Sequence, residues 1–177
     1  FGIQDKHAIV VAGTHGKTTT SALCTHVAIE AGLDPSFLVG GVLSGYRDSF
    51  RVSEGKVFVV EGDEYDTAYF DKGPKFVHYR AQTAIITSLE FDHADIYDSI
   101  EAIEASFEKL ILTVPKDGHL VVWEGAGRAI ALAKKLQEGR RLTIYGEGEN
   151  CTLRADDVER GEFGIRLTPV LEGRAYT

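Results

Sequence analysis

The stretch VVAGTHGKTTTSALC, Val10 to Cys24, constrains the chain more than any other. An apolar run breaks into glycine and basic residues and then resumes as a helix-like pattern. A buried strand feeding a helix through so short a loop makes a β-α unit, and such units assemble parallel sheets. Within the break, Gly13 and Gly16 let backbone N–H groups approach an anion, the helix N-terminus offers its positive end, and Lys17 adds a point charge. Gly13, Thr14, His15, Gly16, Lys17, Thr18 and Thr19 are therefore the expected phosphate-binding residues, with the Thr18 hydroxyl placed for Mg2+. The usual P-loop has a further glycine five residues before Gly16, where this chain has Val11, so the loop is a shortened variant. The plain alternative is a glycine turn beside an exposed lysine; strand, loop and GKTTT together disfavour it.

The chain continues the same alternation. Strands are expected at His7–Ala12, Val57–Val60, Thr83–Thr87, His119–Trp123 and Leu142–Tyr145. The first helix is expected over Lys17–Ala31, with Leu23, Val27 and Ala31 on its inner face and Gly32 closing it. A second follows Ser99 with the stripe Ile100, Ile103, Phe107, Leu110 and Ile111, and a third carries Ala129, Leu132, Ala133 and Leu136. CTLRADDVERGEFGIRLTPV alternates around ERG like a hairpin. The expected fold is α/β: a mostly parallel sheet with flanking helices and a C-terminal β-hairpin extension.

Composition narrows the class. With 177 residues, 44% of them hydrophobic, the chain suits one core, and a net charge of −8 argues against a nucleic-acid or anionic-membrane surface. Two cysteines, Cys24 and Cys151, make no disulfide framework and read as small buried hydrophobes. No run approaches the roughly 20 apolar residues of a membrane span, and the start lacks signal-peptide order, so a cytoplasmic location is expected. Methionine is absent and the first residue is Phe1, which suggests a start inside a longer polypeptide.

Acidic clusters follow two of the strands. EGDEYD begins with Glu61 and SLEFDH ends with His93, both at strand carboxyl ends, which share one crevice in an open parallel sheet. Glu61 should face the ligand held around Lys17, and His93 offers a second metal ligand, a structural histidine being the commoner reading of such a lone residue. Asp63, Glu64, Asp66, Asp92 and Asp95 read equally as solvated carboxylates or caps. His7, His26, His78 and His119 read as structural or exposed.

AGTHGKTTT, VVEGDEYDTAYFDKGPKFVHY and SLEFDHADIY together resemble the central ATP-binding domain of the Mur ligases, the amide-forming enzymes of bacterial peptidoglycan synthesis. The resemblance is strong from about Ala8 to Tyr97 and thins to the order of elements beyond. GTHGKTTT and DH.D.Y are shared with the branch that adds L-alanine to UDP-N-acetylmuramate. DEYDTAYFDKGPKFVHY and LEFDHADIY are more similar to the murein-recycling branch, which joins that nucleotide sugar to the tripeptide L-Ala-γ-D-Glu-meso-diaminopimelate.

The resemblance implies a P-loop NTPase-like domain using ATP and Mg2+, with Lys17 and Thr18 on the phosphates and the ion. It implies two magnesium ions held by Glu61 and His93, so that Lys17, Glu61 and His93 are the catalytic set and Thr18, Glu61 and His93 the metal ligands. Gly40 and Gly41 fall where relatives approach the nucleotide sugar. Ser88 stands where many relatives carry Asn. Several relatives also have a carbamoylated lysine near the positions of Glu108 and Lys109, a role that neither residue is assigned. UDP-N-acetylmuramate and the murein tripeptide are the implied substrates, with no nucleic acid and no membrane partner. Residues 1–177 are expected to be a partial central domain, without the N-terminal UDP-binding domain, the C-terminal ligase domain or the HN..N nucleotide motif, and so inactive alone. The L-alanine-adding activity and a non-catalytic nucleotide-binding switch are the alternatives.

Overall fold

The computed structural model describes residues 5–63, 66–68, 71–91, 97–162 and 164–176. Five strands carry the parallel part of the sheet seen in the sequence pattern: β1 (His7–Ala12), β4 (Val57–Glu61), β7 (Thr83–Ile86), β8 (His119–Trp123) and β9 (Arg141–Gly146). Between β1 and β4 lie two short strands, β2 (Ser36–Leu38) and β3 (Phe50–Arg51). A small separate hairpin of β5 (Asp66–Ala68) and β6 (Asp71–Pro74) leads into a 3-10 turn, Lys75–Tyr79. The chain continues past β9 into β10 (Leu153–Gly161), β11 (Gly164–Leu171) and β12 (Arg174–Ala175).

Ten strands form one sheet in the order β12-β11-β10-β9-β8-β7-β1-β4-β2-β3. Pairing is parallel from β2 through β10 and antiparallel at both edges, where β3 joins β2 and the β10–β11 hairpin extends the far side. The expected α/β fold with its hairpin extension is the observed one. Strands β2, β3, β5, β6 and β12 were not expected, because two to four residues carry no periodic signal.

Alternate residues of the central strands point to opposite faces. Ala8, Val10, Phe58, Val60, Ala84, Ile86, Leu120 and Val122 face α2 (Ile100–Thr113) and α3 (Gly127–Lys135), meeting Phe107, Leu110, Ala129 and Ala133. Ser99 caps α2 by accepting the Ala102 N–H at 3.3 Å. The opposite face packs Phe37, Val39 and Val59 against Ala22 and Cys24 of α1 (Lys17–Glu30).

Helix α1 corrects the expected inner face. Its buried residues are Ser21, Thr25 and Ala28, whereas Leu23 and Val27 are 58% and 64% exposed. Small residues let the helix lie close on β1 and β4. The Ser21 and Thr25 hydroxyls donate to the carbonyls of Lys17 and Ser21 at 2.7 and 2.8 Å, so their burial leaves no donor unpaired. Gly32, at φ +71°, closes the helix as expected. The cysteines also differ from expectation: both are half-buried, and the Cys151 thiol donates to Glu124 Oε2 at 3.3 Å.

Two polar groups brace the framework. Arg140 is buried and donates to the carbonyls of Val114 at 2.7 Å and Leu136 at 2.9 Å, which end α2 and α3. His7 and His119 bond across the sheet to the Thr83 and Thr143 hydroxyls, each at 2.8 Å. Burial, then Arg141 and His7, hold the His119 imidazole below its ordinary pKa. Among the described residues no helix is long and apolar enough to cross a membrane.

Leu23→Ser is expected to change stability by less than about 0.5 kcal/mol, against about 3–5 kcal/mol for Phe107→Ala, in urea unfolding. The folded state disfavours protonated His119, so its contribution is complete above the ordinary histidine range and is lost as pH falls through it. Between about pH 7 and pH 5 the urea midpoint should therefore drop more for the parent than for His119→Gln.

Candidate functional site

Strand register brings the site together. Val11 pairs with Glu61 and Ala12 with Ile86, so the loop leaving β1 emerges between the ends of β4 and β7. Gly13 enters that gap at φ +149°, and a Cβ there would lie 2.1 Å from Thr87 Oγ1 and 2.9 Å from the Ser88 nitrogen. Only glycine fits. Gly16 caps α1 in the left-handed region, at φ +80°.

The β7 end then pins the loop. Thr87 Oγ1 donates to the carbonyl of His15 at 2.5 Å, and Ser88 Oγ accepts the His15 N–H at 2.7 Å. Thr14 Oγ1 donates to the Glu90 carbonyl at 3.2 Å and accepts the Glu90 N–H at 3.0 Å. Thr87, Ser88 and Glu90 were not among the expected site residues; their signal was position alone, at the end of the neighbouring strand. Ser88 serves the loop directly, holding the backbone of His15. The His15 ring itself is 63% exposed, 3.9 Å from Glu90.

Lys17 Nζ donates to the carbonyls of Gly13 at 2.6 Å and Thr14 at 3.4 Å, arching over the loop. No side chain caps α1, and its first helical bond runs from the Thr20 N–H to Gly16 O. The N–H groups of Thr18 and Thr19 therefore sit in the helix end that attracts anions.

Across the loop, Thr18 Oγ1 donates to Glu61 Oε1 at 2.9 Å, and Glu61 Oε2 accepts the Gly40 N–H at 2.7 Å. Mg2+ takes oxygen ligands at about 2.0–2.1 Å in an octahedron, which puts adjacent oxygens about 2.9 Å apart. The Thr18 hydroxyl and the Glu61 carboxylate are oxygen donors of the type such an ion takes, and here they are hydrogen-bonded to each other. Gly40 and Gly41 lie against this pair: a Cβ on Gly40 would meet the Glu61 carboxylate at 2.8 Å, and one on Gly41 would meet Thr18 Cγ2 at 3.4 Å.

These groups open into a cleft of about 510 Å³ lined by Lys17, Leu38, Val39, Gly40, Glu61, Asp63, Lys75 and Tyr79. His93, Asp92, Asp95 and Glu64 lie outside the described residues, as does the side chain of Asp66. Glu108 and Lys109 sit on α2 and do not line the cleft. Among the described residues no three His, Cys, Asp or Glu side chains converge as a metal cluster.

Residues 11–176 match the family described as the Mur ligase middle domain. The chain belongs to the Mur ligase family. This middle domain is 46% identical over 121 residues to the UDP-N-acetylmuramate–L-alanyl-γ-D-glutamyl-meso-2,6-diaminoheptandioate ligase of Escherichia coli, covering 68% of the chain and 26% of that protein. It is 36% identical over 171 residues to the UDP-N-acetylmuramate–L-alanine ligase of Salinispora arenicola, covering 96% of the chain and 32% of that protein. A solved UDP-N-acetylmuramate:L-alanyl-γ-D-glutamyl-meso-diaminopimelate ligase from Neisseria meningitides superposes with a TM-score of 0.85 at 37% identity, over 98% of the chain and 55% of that structure. The chain thus spans about a quarter to a third of the length of these curated relatives.

Gly13→Ala should abolish ATP binding in calorimetric titration, since the loop must leave the β7 end to admit the methyl group. Ser88→Ala should weaken binding less, because it removes one acceptor and leaves Thr87 and Glu90 in place.

Proposed function

We propose that this domain is the ATP-binding part of a ligase that joins UDP-N-acetylmuramate to the tripeptide L-Ala-γ-D-Glu-meso-diaminopimelate, as in murein recycling in the cytoplasm. The observation that carries the reading is that Lys17 and Glu61 line one cleft at the carboxyl ends of β1 and β4, with the Thr18 hydroxyl bonded to Glu61. The relatives named above support the choice of substrates: the higher identity is to the tripeptide-adding ligase.

In this reading the loop amides and Lys17 hold the triphosphate of ATP. Thr18 and Glu61 hold Mg2+, with His93 as a further ligand through the resemblance of its DH motif. When bound, the ion neutralises charge between the triphosphate and the acceptor carboxylate. A muramate carboxylate oxygen attacks the γ-phosphorus, the bond to the β-phosphate oxygen breaks, and ADP leaves. The tripeptide amine then attacks the acyl carbon of the resulting acyl phosphate, phosphate departs, and the amine loses a proton. The chain's task is positioning: the pinned loop holds the phosphates at the cleft that Glu61 also lines, where the acceptor meets them. The UDP moiety and the peptide are held by domains outside these 177 residues, so the isolated domain binds ATP and forms no amide.

The match to the L-alanine-adding ligase runs along 96% of the chain and defines the second reading. Both are tested on the full-length gene product, supplied with UDP-N-acetylmuramate, Mg-ATP and either amine, by phosphate release and mass detection of the amide. The tripeptide product is expected. Product with L-alanine alone would select the second reading, and ATP turnover without amide from either amine would leave a nucleotide switch.

Lys17→Ala should remove ATP binding. Glu61→Gln should weaken Mg-ATP binding more than metal-free ATP binding in paired calorimetric titrations, because the carboxylate acts through the ion.

A further inference from the structure

The cleft carries a second cation, Lys75, besides Lys17 of the glycine loop. Lys75 lies on an element separate from the P-loop, with its Nζ 2.9 Å from Asp63 Oδ2. Both side chains are partly open to the cleft, 38% and 37% exposed.

The backbone, rather than the ion pair, sets the position of Lys75. It opens the 3-10 turn directly after buried Pro74. The next residue, Phe76, is fully buried with its ring centroid 5.7 Å from that of Phe107, and its N–H donates to the Asp63 carbonyl at 3.4 Å. Between Glu61 and Asp63, Gly62 turns tightly against β1, its N–H bonded to Val11 O at 2.7 Å and its Cα with no space for a methyl group beside Val10 and Ala12. Glu61 and Asp63 both reach the cleft as a result. Tyr79 closes the turn and lines the same wall; burial first, and Asp63 second, push its phenol above the ordinary pKa, so it remains a neutral hydroxyl.

Lys17 is drawn to the loop carbonyls, and the oxygens of Glu61 are engaged by Thr18 and Gly40. The P-loop lysine belongs to the triphosphate, together with the metal ion assigned above to Thr18 and Glu61. Two cations on different elements of one cleft match two anionic groups brought together, the requirement of phosphoryl transfer from a triphosphate to a carboxylate. An ammonium has three donors, and Asp63 takes one of them.

We propose that Lys75, oriented by Asp63, binds the carboxylate of the acceptor substrate and selects for acceptors that carry one. The inference rests on the ligase reading above. It makes Lys75 a specificity-determining residue and Asp63 a positioning residue. Asp63 holds one donor of the ammonium at 2.9 Å, and the arriving carboxylate bonds to another.

The test uses the full-length gene product with Lys75→Gln and Lys75→Arg. A charge-assisted hydrogen bond lost from an otherwise intact site corresponds to about tenfold or more in affinity. Lys75→Gln should raise KM for UDP-N-acetylmuramate by about that factor and leave KM for ATP within about twofold, and Lys75→Arg should recover most of the loss. UDP-N-acetylglucosamine, which lacks the lactyl carboxylate, serves as the control inhibitor: its Ki should be the same for parent and Lys75→Gln. An unchanged KM for the muramate, a parallel rise for ATP, or a parallel rise in the control Ki would overturn the proposal. If the parent makes no amide, the ligase reading fails by itself, and calorimetric binding of UDP-N-acetylmuramate decides on Lys75: a drop of about tenfold in Lys75→Gln supports it, and equal or absent binding overturns it.

Discussion

The close approach of Gly13 to the end of β7 is the contact on which the site depends. With Thr87 Oγ1 only 2.1 Å from where a Cβ would stand, only a residue without a side chain can carry the backbone through the gap between β4 and β7. The loop is then fixed from one side by Thr87, Ser88 and Glu90, which bond to the backbone of His15 and to the Thr14 hydroxyl. Those bonds leave the helix end and Lys17 on the opposite side, toward Glu61 and the cleft. Loop rigidity here comes from the end of a neighbouring strand.

Parallel pairing extends this local constraint into a shared crevice. The β1–β4 register places Glu61 beside the root of the loop, and Gly62 keeps the following turn flush with β1, so that one short segment delivers Glu61 and Asp63 to the same cleft. Beside them, the packing of buried Phe76 on Phe107 fixes the 3-10 turn bearing Lys75 and Tyr79, which also line the cleft. Core packing on the α2 side of the sheet thereby sets the position of charges at the ligand side. A carboxylate acceptor and a triphosphate are both anions, and a cleft that holds them together must supply cations from separate elements to offset their repulsion.

Where the sequence reading was right, the residues had a local reason to behave as they did. The apolar runs of β1, β8 and β9 are strands in any α/β packing, and the stripe Ile103, Phe107, Leu110 and Ile111 forms the buried side of α2 as its spacing requires. It erred at α1 because Leu23 and Val27 are apolar yet exposed, while Ser21 and Thr25 are polar yet buried. Hydroxyls that bond to the preceding turn can face a sheet without loss, and their small size permits the close packing that leucine would prevent. Arg140 was equally illegible: its burial follows from two helix ends meeting at one point, a fact of tertiary assembly.

The sequence by itself determined the β-α succession, the glycine loop between β1 and α1 and the glutamate at the end of β4, since each is specified within a few consecutive residues by period, glycine placement and charge. Only the tertiary structure decided which loops meet. Thr14 with Glu90, Thr18 with Glu61, Gly40 with Glu61, and Asp63 with Lys75 are separated by 76, 43, 21 and 12 positions, and only the tertiary packing of strand ends and turns brings them together. The physical reason is that a strand's pattern encodes which face is buried but not which strand lies beside it; that choice is made by the packing of the whole sheet.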